Sequence, residues 1–169
     1  MTSLRPTTVV RRATRSDVGT LVDLMREFYA EANYSLDGKR AETSFLRLLE
    51  NSELGCVWLA ERQGVAAGHA VLTLRYTMEH GALGGHIDDL FVKPEFRRQR
   101  VARALLSELF DECGRRNCKS IYVEVGDRNV PAIELYGHFG LAPFDDGRVL
   151  FHGALPRSGV NRAAKKPTQ

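Results

Sequence analysis

The sequence predicts an α/β fold: a single domain built as a sandwich around one mixed sheet. Three observations predict it. Stretches with strand-like alternation and stretches with helical spacing follow in the order strand, two helices, three strands, helix, strand, helix, strands. A chain of 169 residues is a natural size for one substantial core. An apolar strand at residues 87–92 runs through a short, arginine-crowded loop into a helix whose apolar stripe is Val101, Ala102, Leu105, Leu106, Leu109, Phe110 and Cys113.

Each element has its own signal. Residues 9–13 read as the first strand, and Thr14-Arg15-Ser16-Asp17 supplies helix N-cap candidates. The helix behind them carries Val18, Leu21, Val22, Leu24, Met25, Phe28 and Tyr29. Residues 33–39 break the pattern, and residues 41–51 resume it with Phe45, Leu46, Leu48 and Leu49. Strands are expected at 56–61 and 66–76, joined by a turn at 62–65. Residues 81–85 read as a further turn leading into a strand at 86–92. Ile121, Val123 and Val125 alternate with Tyr122 and Glu124 in a strand at 120–125. Pro131 opens the last helix, whose stripe is Ala132, Leu135, Tyr136 and Phe139. Asp145-Asp146-Gly147 is a hairpin signal before a strand at 148–155. Residues 1–156 are expected to form the domain and residues 157–169 a polar, basic tail.

Composition narrows the function classes. Hydrophobic residues at 43% and charged residues at 27% are ordinary for a globular protein. A net charge of +3 is too small to demand a nucleic-acid partner. Lys93, Arg97, Arg98, Arg100 and Arg103 are locally dense against Glu95 alone. No aromatic residues interleave with them as a base-stacking surface would need, so a small polyanion fits better than nucleic acid. Cys56, Cys113 and Cys118 form no CxxC pair, and the histidines form no metal-ligand spacing with them. The expectation is reduced thiols, a cytoplasmic protein and no metal. No run approaches membrane-spanning length, and the first residues lack a signal-peptide core, so no membrane partner is expected.

A strand feeding a helix N-terminus leaves backbone N–H groups unpaired, with the positive end of the helix dipole behind them. That arrangement holds phosphate, and the arginines add full charges to it. The ligand implied is a phosphate-bearing small molecule.

Arg97-Arg98-Gln99-Arg100-Val101-Ala102 resembles the acyl-CoA pyrophosphate loop of the GNAT N-acetyltransferases, Arg/Gln-x-x-Gly-x-Gly/Ala. A second segment, from Asn129 through Tyr136 to Gly140-Leu141, is similar to that family's Asn-x-x-Ala-x-x-Leu-Tyr-x-x-x-Gly-Phe. The general pattern covers residues 9–155. The resemblance implies a mixed central sheet with helices on both faces, and acetyl-CoA as co-substrate. Its strands at 86–92 and 120–125 would run parallel but splay apart, with the pantetheine arm in the gap against backbone groups of Leu90, Phe91 and Val92. Arg97, Arg98, Gln99, Arg100, Val101, Ala102 and Arg103 would hold the phosphates, and Asn129 and Tyr136 would complete the cofactor site. Dimers are common among proteins of this resemblance, so a homodimer is possible.

Arg100 departs from the pattern, standing where the family has glycine. A need for φ > 0 would cost a non-glycine residue about 1–2 kcal/mol. A need for close pyrophosphate approach would make the Arg100 Cβ an obstacle.

Acetyl transfer to an amine requires deprotonation of the amine, stabilisation of the thioester oxygen and protonation of the leaving thiolate. By resemblance Tyr136 is the thiolate's proton donor; on its own it would read as a core tyrosine. Asp88 is the candidate base, with Asp89 and His86 as alternatives. Alternation puts Asp88 and Asp89 on opposite faces unless a bulge intervenes, and either could be a solvated strand end. Glu27, Tyr29, Asp88, Asp89 and Glu124 are the candidate acceptor-binding residues; with Glu31 they would make the entrance acidic and suit a cationic primary amine such as a polyamine, a lysine side chain, an N-terminal amine or an aminoglycoside. No well-placed cysteine argues for an acetyl-enzyme, so direct transfer in a ternary complex is expected. The alternative, motivated by Arg100, is a non-catalytic acyl-CoA-binding module of the same fold.

Overall fold

The computed structural model describes residues 7–144 and Gly147. The strand expected at 148–155, the tail at 157–169 and most of the hairpin signal at 145–147 lie outside the described residues. The elements are β1 (Thr8–Arg12), α1 (Val18–Glu31), α2 (Gly38–Glu50), β2 (Gly55–Arg62), β3 (Val65–Thr77), β4 (Ala82–Val92), α3 (Val101–Arg115), β5 (Ser120–Val123) and α4 (Val130–His138). The described strands lie in the spatial order β1-β2-β3-β4-β5. The first four pair antiparallel in sequence order, and β5 joins β4 in parallel after the α3 crossover.

The sheet separates two apolar clusters. Trp58, Leu72 and Ile87 pack with Leu105, Leu106 and Leu109 of α3. On the other face Leu59, Val71 and Phe91 pack with Leu21 and Leu24 of α1 and Phe45 of α2. The helices therefore cover both faces, as the fold class requires. Side-chain caps set where they begin. Asp37 accepts from Arg40 N–H at 3.1 Å at the start of α2 and Asn129 from Ala132 N–H at 3.3 Å at the start of α4, while α1 follows a 3₁₀ turn, Arg15–Asp17, in which Asp17 accepts from the Thr14 backbone N–H at 2.7 Å.

One expected turn is corrected. Residues 81–85 were assigned to a turn because of their glycines, yet β4 already begins at Ala82. Gly84 and Gly85 sit inside the strand because neighbours crowd it. A Cβ at Gly84 would lie 2.7 Å from Ser120 Oγ, and one at Gly85 would lie 2.9 Å from Cys113 Sγ. β5 is also shorter than expected, ending at Val123 instead of residue 125.

The end of the sheet away from the arginine loop is closed by a buried carboxylate. Glu112 of α3, only 6% exposed, meets Arg12 at 2.6 Å, Arg115 at 2.8 Å and Arg116 at 2.6 Å. Arg12 also stacks over Trp58, 4.4 Å from its ring centroid. Burial alone would raise the Glu112 pKa, but the hydrogen bonds from Arg116, Arg12 and Arg115 prevail and hold it down to about 2. A carboxylate with a depressed folded pKa stabilises above its ordinary value of 4.5 and loses that contribution as pH falls toward 2. Glu112→Gln is expected to cost about 2–3 kcal/mol at pH 7, discounted because Arg12 and Arg115 keep contact with water. Urea midpoints measured against pH should show this gap closing between pH 4.5 and 2.

Candidate active site

The site starts from a register change in β4. Val71 of β3 faces Asp89 while Leu72 faces Ile87, so Asp88 has no partner across the ladder and forms a β-bulge. β5 pairs with β4 only from Gly84–Ser120 to Ile87–Val123. Beyond the bulge the β5-side edge of β4 has no strand partner among the described residues, and a gap opens there. The Lys93 N–H bonds to Ala67 C=O at 2.9 Å on the β3 side. By alternation Phe91 also turns its backbone toward β3, whereas Leu90 and Val92 present theirs to the gap. The Val92 C=O on that side accepts from Arg97 Nε at 2.9 Å. The Phe91 ring is buried on the α1 side, stacked on Phe28 at 5.6 Å.

At the end of β4 a short 3₁₀ turn, Pro94–Phe96, leads into the arginine loop. Arg98 and Arg100 both take left-handed backbone conformations, with φ of 59° and 66°. Arg100 is the N-cap of α3, so its position demands the conformation that glycine adopts without strain. Among the described residues no backbone N–H of residues 98–103 has a hydrogen-bond acceptor. Left-handed turns that bare successive N–H groups at a helix N-terminus make an anion cradle.

The arginines divide their work. Arg97 is tied to the scaffold: Nε donates to Val92 C=O at 2.9 Å and Nη2 to the Glu31 carboxylate at 2.7 Å, joining β4 to the end of α1. Arg98, Arg100 and Arg103 are exposed and make no ion pair among the described residues. Gln99 fastens the loop through Nε2 to Glu95 C=O at 2.7 Å. Val101 is buried in the core, and Ala102 packs beside it. Sequence reasoning missed Arg62. This buried side chain at the end of β2 donates to Gln99 C=O at 3.3 Å and supports the loop from beneath. Its signal was a charged pair, Glu61-Arg62, ending an otherwise apolar strand.

Tyr136 is buried on α4 in the cluster that contains Ile87 and Val92, and it also borders the groove beside Val123 and Glu124. Burial pushes its pKa up to about 12. The side chain of Asn129 caps α4, which is a structural use of that motif residue.

The bulge brings the acidic candidates together on the α1 side. Asp88 lies 3.5 Å from His86 Nδ1, and Asp89 lies 3.7 Å from His69 Nε2. The Asp88 hydrogen bond raises the His86 pKa above its ordinary value, and the Glu124 charge adds to this. Burial raises the Tyr29 pKa, and the charges of Asp89 and Asp88 raise it further. Asp89 and Tyr29 line a cleft of about 460 Å³ together with Phe28, Ala32, Tyr34 and Ser35. Glu27 and Glu31 do not add free charge to it, since they pair with Lys93 at 3.1 Å and with Arg97 at 2.7 Å. Glu124 is exposed just past β5.

The acetyltransferase (GNAT) family model matches residues 21–141. An integron cassette protein from the mobile metagenome of Cole Harbour Salt Marsh is 34% identical, over 88% of this chain and 91% of that one, with a TM-score of 0.78. An uncharacterized N-acetyltransferase of Archaeoglobus fulgidus is 28% identical over 129 residues, covering 75% of this chain and 88% of its own. The aminoglycoside N-acetyltransferase AAC(6′)-Iy, solved with a CoA-based bisubstrate analogue, shares the fold with a TM-score of 0.75 at 17% identity, over 89% of this chain and 99% of that one.

Two expectations follow from the geometry. Arg100→Gly relieves about 1–2 kcal/mol of left-handed strain against about 0.5–1 kcal/mol of added unfolded-chain entropy. A net gain of up to about 1.5 kcal/mol should appear in the urea midpoint; a loss would show that the Arg100 side chain holds the loop. Asp88→Asn should lower the pKa at which the His86 ring protons titrate by NMR. The sign for stability follows from the raised folded pKa: protonated His86 stabilises at acid pH, and that contribution fades as pH rises through its folded value.

Proposed function

The chain belongs to the acetyltransferase (GNAT) family, and from that premise we propose that it moves the acetyl group of acetyl-CoA directly onto a primary amine, with both substrates bound at once. It is an acetyl-CoA-dependent acetyltransferase, and acetyl-CoA is its co-substrate. One observation carries the reading. The gap beside Leu90 and Val92 leads from the open N–H groups of residues 98–103 to the carboxylates at the bulge. Phosphates fit the first end, a pantetheine amide fits the backbone edge, and a cationic amine fits the last.

In this reading the amine nitrogen bonds to the thioester carbonyl carbon and the C–S bond breaks. Before attack the bound ammonium gives one proton through water to Asp88, which frees the nitrogen lone pair; the departing thiolate takes the Tyr136 hydroxyl proton, and the second proton leaving the nitrogen returns through water to the phenolate, giving an amide and CoA thiol. A pKa of about 12 keeps that proton on Tyr136 throughout the working range. It also makes the phenol a weak acid, so transfer is tied to the moment when thiolate charge develops in contact with it. Direct transfer is supported by the state of the cysteines. Cys113 is buried, and burial pushes its thiol up to about 12, the opposite of an activated nucleophile. The bisubstrate analogue bound by AAC(6′)-Iy supports simultaneous occupancy of two sites on this fold.

The test is release of CoA thiol from acetyl-CoA with spermidine, kanamycin A, phenethylamine and an alanine-terminated peptide as acceptors. Binding of CoA without thiol release from any amine would favour the non-catalytic alternative. Tyr136→Phe should leave CoA affinity unchanged by calorimetry and reduce turnover by about 10²–10⁴. Unaltered turnover, with chemistry shown to be rate-limiting, would remove Tyr136 from the mechanism.

A further inference from the structure

His69 lies within β3 and is wholly buried, and neither ring nitrogen has a hydrogen-bond partner. Its ring stands edge-on to Phe45 at 6.1 Å and tilted to Phe91 at 6.2 Å. A phenylalanine or leucine would fill such a space without leaving polar atoms orphaned, so an imidazole there calls for an explanation. Its Nε2 points to one: the Asp89 carboxylate is 3.7 Å away, and closing that distance by less than 1 Å makes a hydrogen bond.

Asp89 spans two environments. Its inner oxygen faces His69, and its side chain, 12% exposed, lines the α1–β4 cleft. The cleft walls are the aromatic rings of Phe28, Tyr29 and Tyr34, with Tyr29 edge-on to both others at 5.8 and 6.2 Å. Among the described residues Asp89 is the one acidic residue lining it. The glutamates on the neighbouring face of α1 are paired with Lys93 and Arg97. A carboxylate at the floor of an aromatic slot suits one ammonium group carried on an apolar stem. Asp88 is exposed outside the cleft lining, so inside the slot a polyamine's second ammonium would meet aromatic walls and no second carboxylate.

We propose that this cleft binds the acceptor as a primary amine bearing one positive charge on an aromatic or bulky apolar stem, with Asp89 as counter-ion and His69 as the positioning residue that aims Asp89 into the cleft. The inference rests on the acetyl-transfer reading and narrows its acceptor. Asp89 is the neighbour of Leu90, whose backbone faces the gap, so an amine held there lies next to the thioester path.

The experiment compares phenethylamine, spermidine and kanamycin A at saturating acetyl-CoA, in wild type and in Asp89→Asn, His69→Phe and His69→Gln. Phenethylamine should exceed the two polycations by at least about tenfold in kcat/KM. Asp89→Asn and His69→Phe should each raise its KM about tenfold or more, the size of one lost charge-assisted bond, with the acetyl-CoA KM unchanged. Adding His69→Phe to Asp89→Asn should change little, and His69→Gln, which keeps an N–H at a similar reach, should recover most of the loss. A preference for spermidine or kanamycin A, or additive effects of the two substitutions, overturns the proposal. If His69→Phe does not fold, ¹⁵N NMR of the wild-type imidazole decides its role: the Nε2 resonance should move in Asp89→Asn, and an unmoved resonance overturns it. The two readings fail separately. Should no amine release thiol, calorimetry with phenethylamine still tests the cleft, since binding lost in Asp89→Asn supports it and absent binding in wild type refutes it.

Discussion

The extra residue in β4 decides the geometry of everything that could do chemistry here. Up to Ile87 the strand presents alternate residues to the α3 side, and strict alternation would carry Asp89 and Phe91 into that same core. Asp88 absorbs one residue without a partner, and the faces exchange. Asp89 and Phe91 then face α1, Leu90 and Val92 face α3, and the backbone groups of Leu90 and Val92 meet no neighbouring strand. One bulge thereby turns Asp89 into the α1–β4 cleft, leaves Asp88 exposed beside His86, and leaves the Leu90–Val92 edge without a strand partner among the described residues. β3 accommodates it through close approach, since a Cβ at Gly68 would stand 2.3 Å from Phe91 C=O.

The arginine loop shows how charge is shared between scaffold and ligand. Lys93 and Arg97 face glutamates of α1 and fix that helix against the end of β4. Arg62 supports the loop from below through Gln99. What remains outward is Arg98, Arg100 and Arg103, together with the bare N–H groups around them. The left-handed strain at Arg100 is what the conformation requires of any side chain. An arginine at that position adds a cation to the cradle that glycine would lack, an exchange of backbone ease for charge.

Much of this was legible in the sequence because it depends on periodicity. The stripe from Val101 to Cys113 identified α3, and the strand–loop–helix order located the arginine loop at its start. The failures share a physical cause: they turn on contacts between residues distant in the chain. Gly84 and Gly85 looked like a turn because nothing local reveals that Ser120 and Cys113 press against them. A bulge leaves no composition signature, so the shared face of Asp88 and Asp89 could be stated only as a condition. The family resemblance implied cofactor contact through the Phe91 backbone, whereas the register turns that backbone to β3 and the ring to Phe28. His69 raised no signal at all among Gly68, Ala70 and Val71. Glu27 and Glu31 counted as free acids until their partners on the loop came into view.

The net charge of +3 conceals an arrangement that matters more than its sum. Asp88 and Val92 are separated by about 13 Å at an extended rise of roughly 3.3 Å per residue. That exceeds the Debye length of about 8 Å at physiological ionic strength. The carboxylates at the bulge and the cations beyond the end of β4 are therefore screened from one another by the solvent at the surface, and neither patch neutralises the other. A molecule anionic at one end and reacting at the other can lie along this segment with its phosphates in the basic loop. Its acyl group would then reach the acidic end, where a cationic amine is drawn in from the α1 side. Opposite charges thus stand at the two ends of a single strand segment, joined by the backbone edge that the bulge leaves without a strand partner among the described residues.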